Sequence, residues 1–106
     1  MNLDIEHSES DGMHQLSVAG EIDAYTAPQL REELLPLTEK EETTISVDLS
    51  GVHYMDSTGL GIFVAALKSS KKHGSSLELK GMTPRVKRLF DITGLAEIIE
   101  VKGGTT

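Results

Sequence analysis

Ser57 stands in the run Asp56-Ser57-Thr58-Gly59-Leu60-Gly61, a hydroxyl beside a carboxylate and followed closely by two glycines. An apolar strand pattern precedes this run and an apolar helical pattern follows it. The spacing therefore predicts Ser57 at the positive end of a helix, where unused backbone N–H groups and the helix dipole attract an anion. A serine so placed can accept a phosphoryl group, which adds about 1.5 to 2 negative charges and three acceptor oxygens. Gly59 and Gly61 each cost a helix about 1 kcal/mol relative to alanine. Their missing side chains would leave room for a phosphate or a partner's backbone. The plainer reading of the same residues is a helix cap. Either Asp56 or Ser57 can accept a first-turn N–H, a bond worth about 0.5–2 kcal/mol. Thr58 is the competing hydroxyl, turned about 100° around the helix from Ser57.

Other chemistries fit less well. A hydrolase would need a base for Ser57, and of His7, His14, His53 and His73 only His53 is near it in sequence. Adjacency alone does not make a triad. The order GxxxxGK[ST] of a phosphate-binding loop is missing, so the chain is expected to accept phosphate and not to hold ATP. Cysteine is absent, which removes disulfides, thiolate nucleophiles and cysteine metal sites.

The elements that must position Ser57 are legible from periodicity. Leu3 and Ile5 alternate with polar residues, as do Leu16 and Val18, and Asp11-Gly12 between them signals a hairpin. Gly20 is predicted to end the second strand, with Glu21, Ile22 and Asp23 in a loop. Thr26 and Gln29 have the spacing of a capping box ahead of a helix, and Pro28 falls in its first turn. Leu30, Leu34 and Leu37 should face inward, with Pro36 ending the helix or tightening its last turn. Residues 39–42 form a charged connection. Ile45, Val47 and Leu49 mark a central strand, with Asp48 expected near its end. Leu60, Phe63, Val64 and Leu67 form an inward stripe, leaving Gly61, Ala65 and Lys68 on another face. Lys68, Lys71 and Lys72 suit the helix C-terminus and Gly74 stops it.

Leu77 and Leu79 mark a short strand. Thr83-Pro84 opens a third helix with Val86, Leu89, Phe90 and either Ile92 or Thr93 inward, and Gly94 closes it. Ile98, Ile99 and Val101 form a last strand, and residues 103–106 should fray. The order β-β-α-β-α-β-α-β predicts an α/β fold: a mixed central sheet with an N-terminal hairpin and right-handed crossover helices.

A chain of 106 residues suits one domain spanning 1–106. Aromatic residues are only 4%, so aliphatic side chains must supply most of the core. No apolar run reaches the roughly 18 residues of a membrane span, and residues 1–10 lack a secretory apolar block. A soluble, cytoplasmic protein is expected, without contact to membrane. The net charge of −7 is uneven: residues 1–50 hold 12 acids against 2 bases, residues 51–106 hold 5 acids against 8 bases. An acidic first half argues against direct nucleic-acid binding and suits a basic protein partner.

The segments Val47-Asp48-Leu49, Val52 and Met55-Asp56-Ser57-Thr58-Gly59-Leu60-Gly61, with Gly20-Glu21-Ile22-Asp23, resemble the anti-sigma factor antagonists built from one STAS domain. The resemblance covers nearly the whole chain. Arg88-Leu89-Phe90-Asp91-Ile92-Thr93-Gly94-Leu95 looks most like the members that control the general stress response sigma factor. The resemblance implies a regulatory protein and not an enzyme, with no cofactor or metal of its own. Ser57 would be phosphorylated by an anti-sigma factor that is also a serine kinase and itself binds the ATP. The unmodified form would bind that kinase and free the sigma factor, the phosphorylated form would bind poorly, and a metal-dependent serine phosphatase would restore it. Asp23, Asp56, Ser57, Thr58, Gly59 and Gly61 match the family's partner-binding surface, and Asp23 could meet an arginine or lysine of the kinase. The alternative within the family is a STAS interaction module of a stress-sensing or transport-associated complex.

Overall fold

The computed structural model describes residues 2–95 and 100–102. Strand β1 (Leu3–Ser10) pairs antiparallel with β2 (Met13–Ile22), from Leu3 opposite Gly20 to Ser10 opposite Met13. Asp11 and Gly12 join them with φ of 52° and 79°. Two positive φ values in a two-residue loop match the strands' right-handed twist, which is why Asp-Gly marks such hairpins.

β2 does not stop at Gly20. It runs on to Ile22, and its register with the next strand slips beside Gly20. Gly20 has φ 117°, and a Cβ there would collide with the carbonyl oxygen of Asn2. The glycine thus marks a bulge inside the strand and not its end. The extra length carries Ile22 into the core and brings Glu21 and Asp23 to the site end of the sheet.

Helix α1 (Ala27–Thr38) has Pro28 in its first turn and buries Leu30, Leu34 and Leu37. The expected capping box is absent. Thr26 makes no side-chain cap bond, and Gln29 Nε2 donates to the Leu3 carbonyl at 3.0 Å. Pro36 lies inside the helix, and the Glu39 N–H reaches back to the Pro36 carbonyl at 3.3 Å, so the last turn tightens.

β3 (Thr44–Met55) continues well past Leu49, so Asp48 sits in mid-strand and not near the end. Asp56 follows, then α2 (Ser57–His73), which ends at Gly74. Its buried side holds Leu60, Ile62, Phe63, Ala66 and Leu67, whereas Val64, expected inward, packs only partly buried at the margin. β4 (Ser76–Lys80) leads to α3 (Pro84–Thr93), where Thr83 Oγ1 accepts the Val86 N–H at 3.4 Å. Val86 and Phe90 are buried, but Ile92 is 75% exposed and Thr93 is exposed too, so neither of the two expected candidates turns inward. β5 (Glu100–Lys102) includes Val101. The strand residues Ile98 and Ile99 and the expected fraying at 103–106 lie outside the described residues.

The sheet order is β1-β2-β3-β4-β5, antiparallel for the first pair and parallel for the rest. Parallel neighbours in chain order place successive crossovers on one face. Cross-sheet rows show this division. His7, Leu16, Val47 and Leu79 lie in one register row, and the last three are wholly buried. The adjacent row is Glu6, Ser17, Asp48 and Lys80 and is polar throughout. The apolar rows join the inner sides of all three helices in one core, with the Phe63 and Phe90 rings 5.8 Å apart. Among the described residues no helix is long and apolar enough to cross a membrane.

Candidate functional site

β2 and β3 end side by side, with Ile22 opposite Met55. Asp56 N–H donates to the Ile22 carbonyl at 3.2 Å, which ties the two strand ends together. Asp56 has extended backbone angles and its Oδ1 accepts the Thr58 N–H at 2.9 Å. The cap of α2 is therefore Asp56. Ser57 is the first helical residue, exposed, and its hydroxyl makes no hydrogen bond among the described residues. Of the two structural roles open to the sequence, the aspartate takes the cap and leaves the serine hydroxyl free.

The glycines divide. A Cβ on Gly59 would lie 2.6 Å from Met55 Cγ and 2.7 Å from Ile22 Cγ2, so this buried glycine lets α2 seat on the strand ends. Gly61 is exposed with nothing within 4 Å of its would-be Cβ. Thr58 is exposed as well.

Asp23 is only 7% exposed. Its Oδ1 accepts the N–H groups of Tyr25 at 2.9 Å and Thr26 at 3.0 Å, and its own N–H donates to Thr26 Oγ1 at 2.9 Å. Thr26 Oγ1 in turn donates to the Glu21 carbonyl at 2.8 Å. This reciprocal Asp–Thr pairing replaces the predicted capping box and fixes the loop from β2 into α1. Asp23 Oδ2 is buried and has no partner among the described residues.

Together the two loops border a shallow, open hollow of about 360 Å³ lined by Glu21, Asp23, Ala24, Tyr25, Tyr54 and Asp56. Tyr25 is 86% and Tyr54 41% exposed. Asp23 and Asp56 are candidates already from the sequence, whereas Tyr25 is not among them. The signal available was its place two residues after Asp23, on the same loop. His53 Nε2 lies 3.5 Å from Glu21 Oε2, so that ring turns toward the hollow's rim. A larger hollow, about 570 Å³, opens on the polar sheet face beside Asp4, Glu6 and Asp48, and none of the predicted site residues lines it. The other clustered histidines, His7 and His14, stack at the hairpin with Nε2 and Nδ1 2.8 Å apart.

A free serine hydroxyl at a helix N-terminus thus stands beside an acidic hollow at the carboxyl ends of parallel strands, the end of an open α/β sheet where ligands generally bind. The STAS domain family model matches residues 4–105. The chain belongs to the STAS domain family. This STAS domain is 52% identical over 103 residues to the anti-sigma-B factor antagonist of Listeria monocytogenes serovar 1/2a, covering 96% of this chain and 90% of the relative. It is 50% identical over 101 residues to the anti-sigma-B factor antagonist of Bacillus subtilis strain 168, covering 95% and 90%. Among solved structures it matches an anti-sigma factor antagonist from Mycobacterium paratuberculosis with a TM-score of 0.81 and 28% identity, over 96% of this chain and 86% of that one. Relatives so named are regulatory proteins. The α/β order read from the sequence is that of the STAS fold.

Proposed function

We propose that this chain is an anti-sigma factor antagonist switched by phosphorylation of Ser57. One observation carries the proposal: Asp56, and not Ser57, caps α2, so the hydroxyl stands exposed and unengaged on the first turn. The identity of 50% or more to two anti-sigma-B factor antagonists over nearly the full chain supports the same role. In the unmodified state the surface made by Asp23, Asp56, Ser57, Thr58 and Gly61 docks on an anti-sigma factor that is also a serine kinase, and the sigma factor is released. Gly59 contributes from below by letting the helix lie close to Met55 and Ile22.

The kinase's own ATP supplies the phosphoryl group. The serine oxygen forms the new bond to the γ-phosphorus, the bond to ADP breaks, and the hydroxyl proton leaves to base or solvent. The phosphate then stands next to Asp56, which with Glu21 and Asp23 lines the adjoining hollow. Docking then has to desolvate a dianion, and its repulsion from this chain's own carboxylates grows as water is excluded, so the complex weakens. A metal-dependent serine phosphatase reverses the modification, and the cycle runs in the cytoplasm. Incubation with the cognate anti-sigma kinase and ATP, followed by peptide mapping, tests this. Phosphate is expected on Ser57 alone and absent from Ser57→Ala. Phosphate on Thr58, or full incorporation into Ser57→Ala, would refute the assignment.

A further inference from the structure

We propose that His7 and His14 form a binding site for one zinc-class divalent ion at the hairpin end of the sheet. His7 Nε2 and His14 Nδ1 face each other at 2.8 Å across the β1–β2 hairpin. One proton fits between them, so one ring donates and the other accepts. The outer nitrogen of His14, Nε2, lies 3.8 Å from Glu9 Oε2. Glu9 is the residue directly opposite His14 in the strand register. A ring N–H turned to a carboxylate leaves the other nitrogen with its lone pair free, which is how the imidazole of a metal ligand is commonly held. His14 is only 2% exposed, whereas His7 is open to solvent. Packing therefore fixes one ligand, and the other remains within reach of an arriving ion.

The ring spacing suits a tetrahedral ion. The two ring centroids are 5.0 Å apart. Imidazoles held about 2.0–2.1 Å from one tetrahedral ion have centroids about 5.2 Å apart and coordinating nitrogens about 3.3 Å apart. The rings need only tilt nearly in place, their facing nitrogens parting by about 0.5 Å as the shared proton leaves. Paired imidazoles select zinc, copper or nickel over magnesium and calcium, which take oxygen ligands. Among the described residues there is no group of three or more metal-ligating side chains. Water therefore completes the shell, and the expected dissociation constant is on the order of 10 µM. The ion would clip the edge strand β1 to β2. His14 lies near the start of β2 and Ile22 at its end, roughly 26 Å along the strand. The ion would thus bind whether or not Ser57 is modified.

Long-range proton–nitrogen NMR of the histidine rings follows the full-length protein, stripped of metal, as Zn²⁺ is added. His7 Nε2 and His14 Nδ1 are expected to shift saturably, while the rings of His53 and His73 stay in place. An ion bound by the folded hairpin alone stabilises it by mass action. Free Zn²⁺ about 50-fold above the dissociation constant should raise Tm by at least about 5 °C, and Mg²⁺ should leave it unchanged. His7→Gln alters the exposed ring and should weaken binding at least about tenfold, with unshifted core amides reporting an intact fold. Glu9→Gln removes the carboxylate behind His14 and should weaken binding about three- to tenfold. His73→Gln should keep the parent affinity.

Unchanged affinity in His7→Gln, ring shifts confined to His53 or His73, or an equal rise of Tm with Mg²⁺ would each overturn the site. So would the absence of a saturable shift up to about 1 mM Zn²⁺. If His7→Gln lost its fold, the ring spectra of the parent protein would decide alone, because they report which nitrogens meet the ion.

Discussion

Asp56 and Ser57 are neighbours with opposite duties, and substitution separates them. Removing the Asp56 carboxylate deletes the bond to Thr58 N–H, so Asp56→Ala should destabilise the protein by about 1 kcal/mol in urea unfolding. Ser57→Ala removes a hydroxyl with no partner and should leave stability within about 0.5 kcal/mol of the parent. The glycines make a second contrast. Gly59→Ala drives a methyl into Met55 and Ile22 and should cost about 1–3 kcal/mol, whereas exposed Gly61→Ala should gain up to about 1 kcal/mol of helix propensity. Equal effects at the two glycines would contradict the packing described. The sequence names both glycines as openings for a ligand, because a helical period alone cannot tell which side of the first turn rests on the strands. That information lies in where β2 and β3 end, which depends on a bulge.

At the scale of elements, the bulge at Gly20 and the Asp23–Thr26 pairing set where the site is built. Gly20→Ala places a methyl against the Asn2 carbonyl at a φ of 117°. It should destabilise the fold by more than about 2 kcal/mol, read as a lower urea midpoint at constant slope. Were Gly20 only the end of a strand, the same change would be nearly silent. Periodicity reveals the hairpin, the three helices and the parallel strands, because alternation and the i, i+3, i+4 stripe report burial directly. It stops short at β2 and β3. Ile22 and Met55 are separated from the alternating runs by Gly20-Glu21 and by Ser50-Gly51, and glycine in a strand reads equally as bulge or end. The capping box at Thr26-Gln29 fails for a related reason. Its spacing is right, but the Asp23 carboxylate reaches the Thr26 N–H first and Gln29 is drawn across to Leu3. Ser57, Asp56 and Asp23 are visible as residue types at sensible places, while Tyr25 joins them only once the loop is folded back over Asp23.

For the molecule as a whole, the proposed switch requires binding to change while the fold does not. A negative group on the first residue of α2 meets the positive helix end, worth about 0.3–1 kcal/mol, and this offsets repulsion from Asp56. Ser57→Asp should therefore keep its unfolding free energy within about 1 kcal/mol of the parent, while its affinity for the anti-sigma kinase falls at least about tenfold. A grossly unfolded Ser57→Asp protein would make Ser57 a structural residue. In the proposed switch the charge around Ser57 sets how strongly the change would be felt at the interface. Glu21, Asp23 and Asp56 gather at the β2 and β3 ends, and their field draws a basic surface there. Such steering acts on the association rate and decays over about 8–10 Å at physiological salt. Stopped-flow binding should thus show an association rate that falls severalfold between low and physiological salt, with dissociation changing little. Phosphorylation adds charge of the same sign as the steering field, so it does not slow the encounter. Its penalty belongs to the closed complex, where water is gone and the phosphate faces carboxylates at short range. The modified protein should therefore retain most of its association rate and lose its affinity through faster dissociation. A modified form that associates at least tenfold more slowly, with its dissociation rate unchanged, would place the block at encounter and refute a switch that works by repulsion within the docked surface.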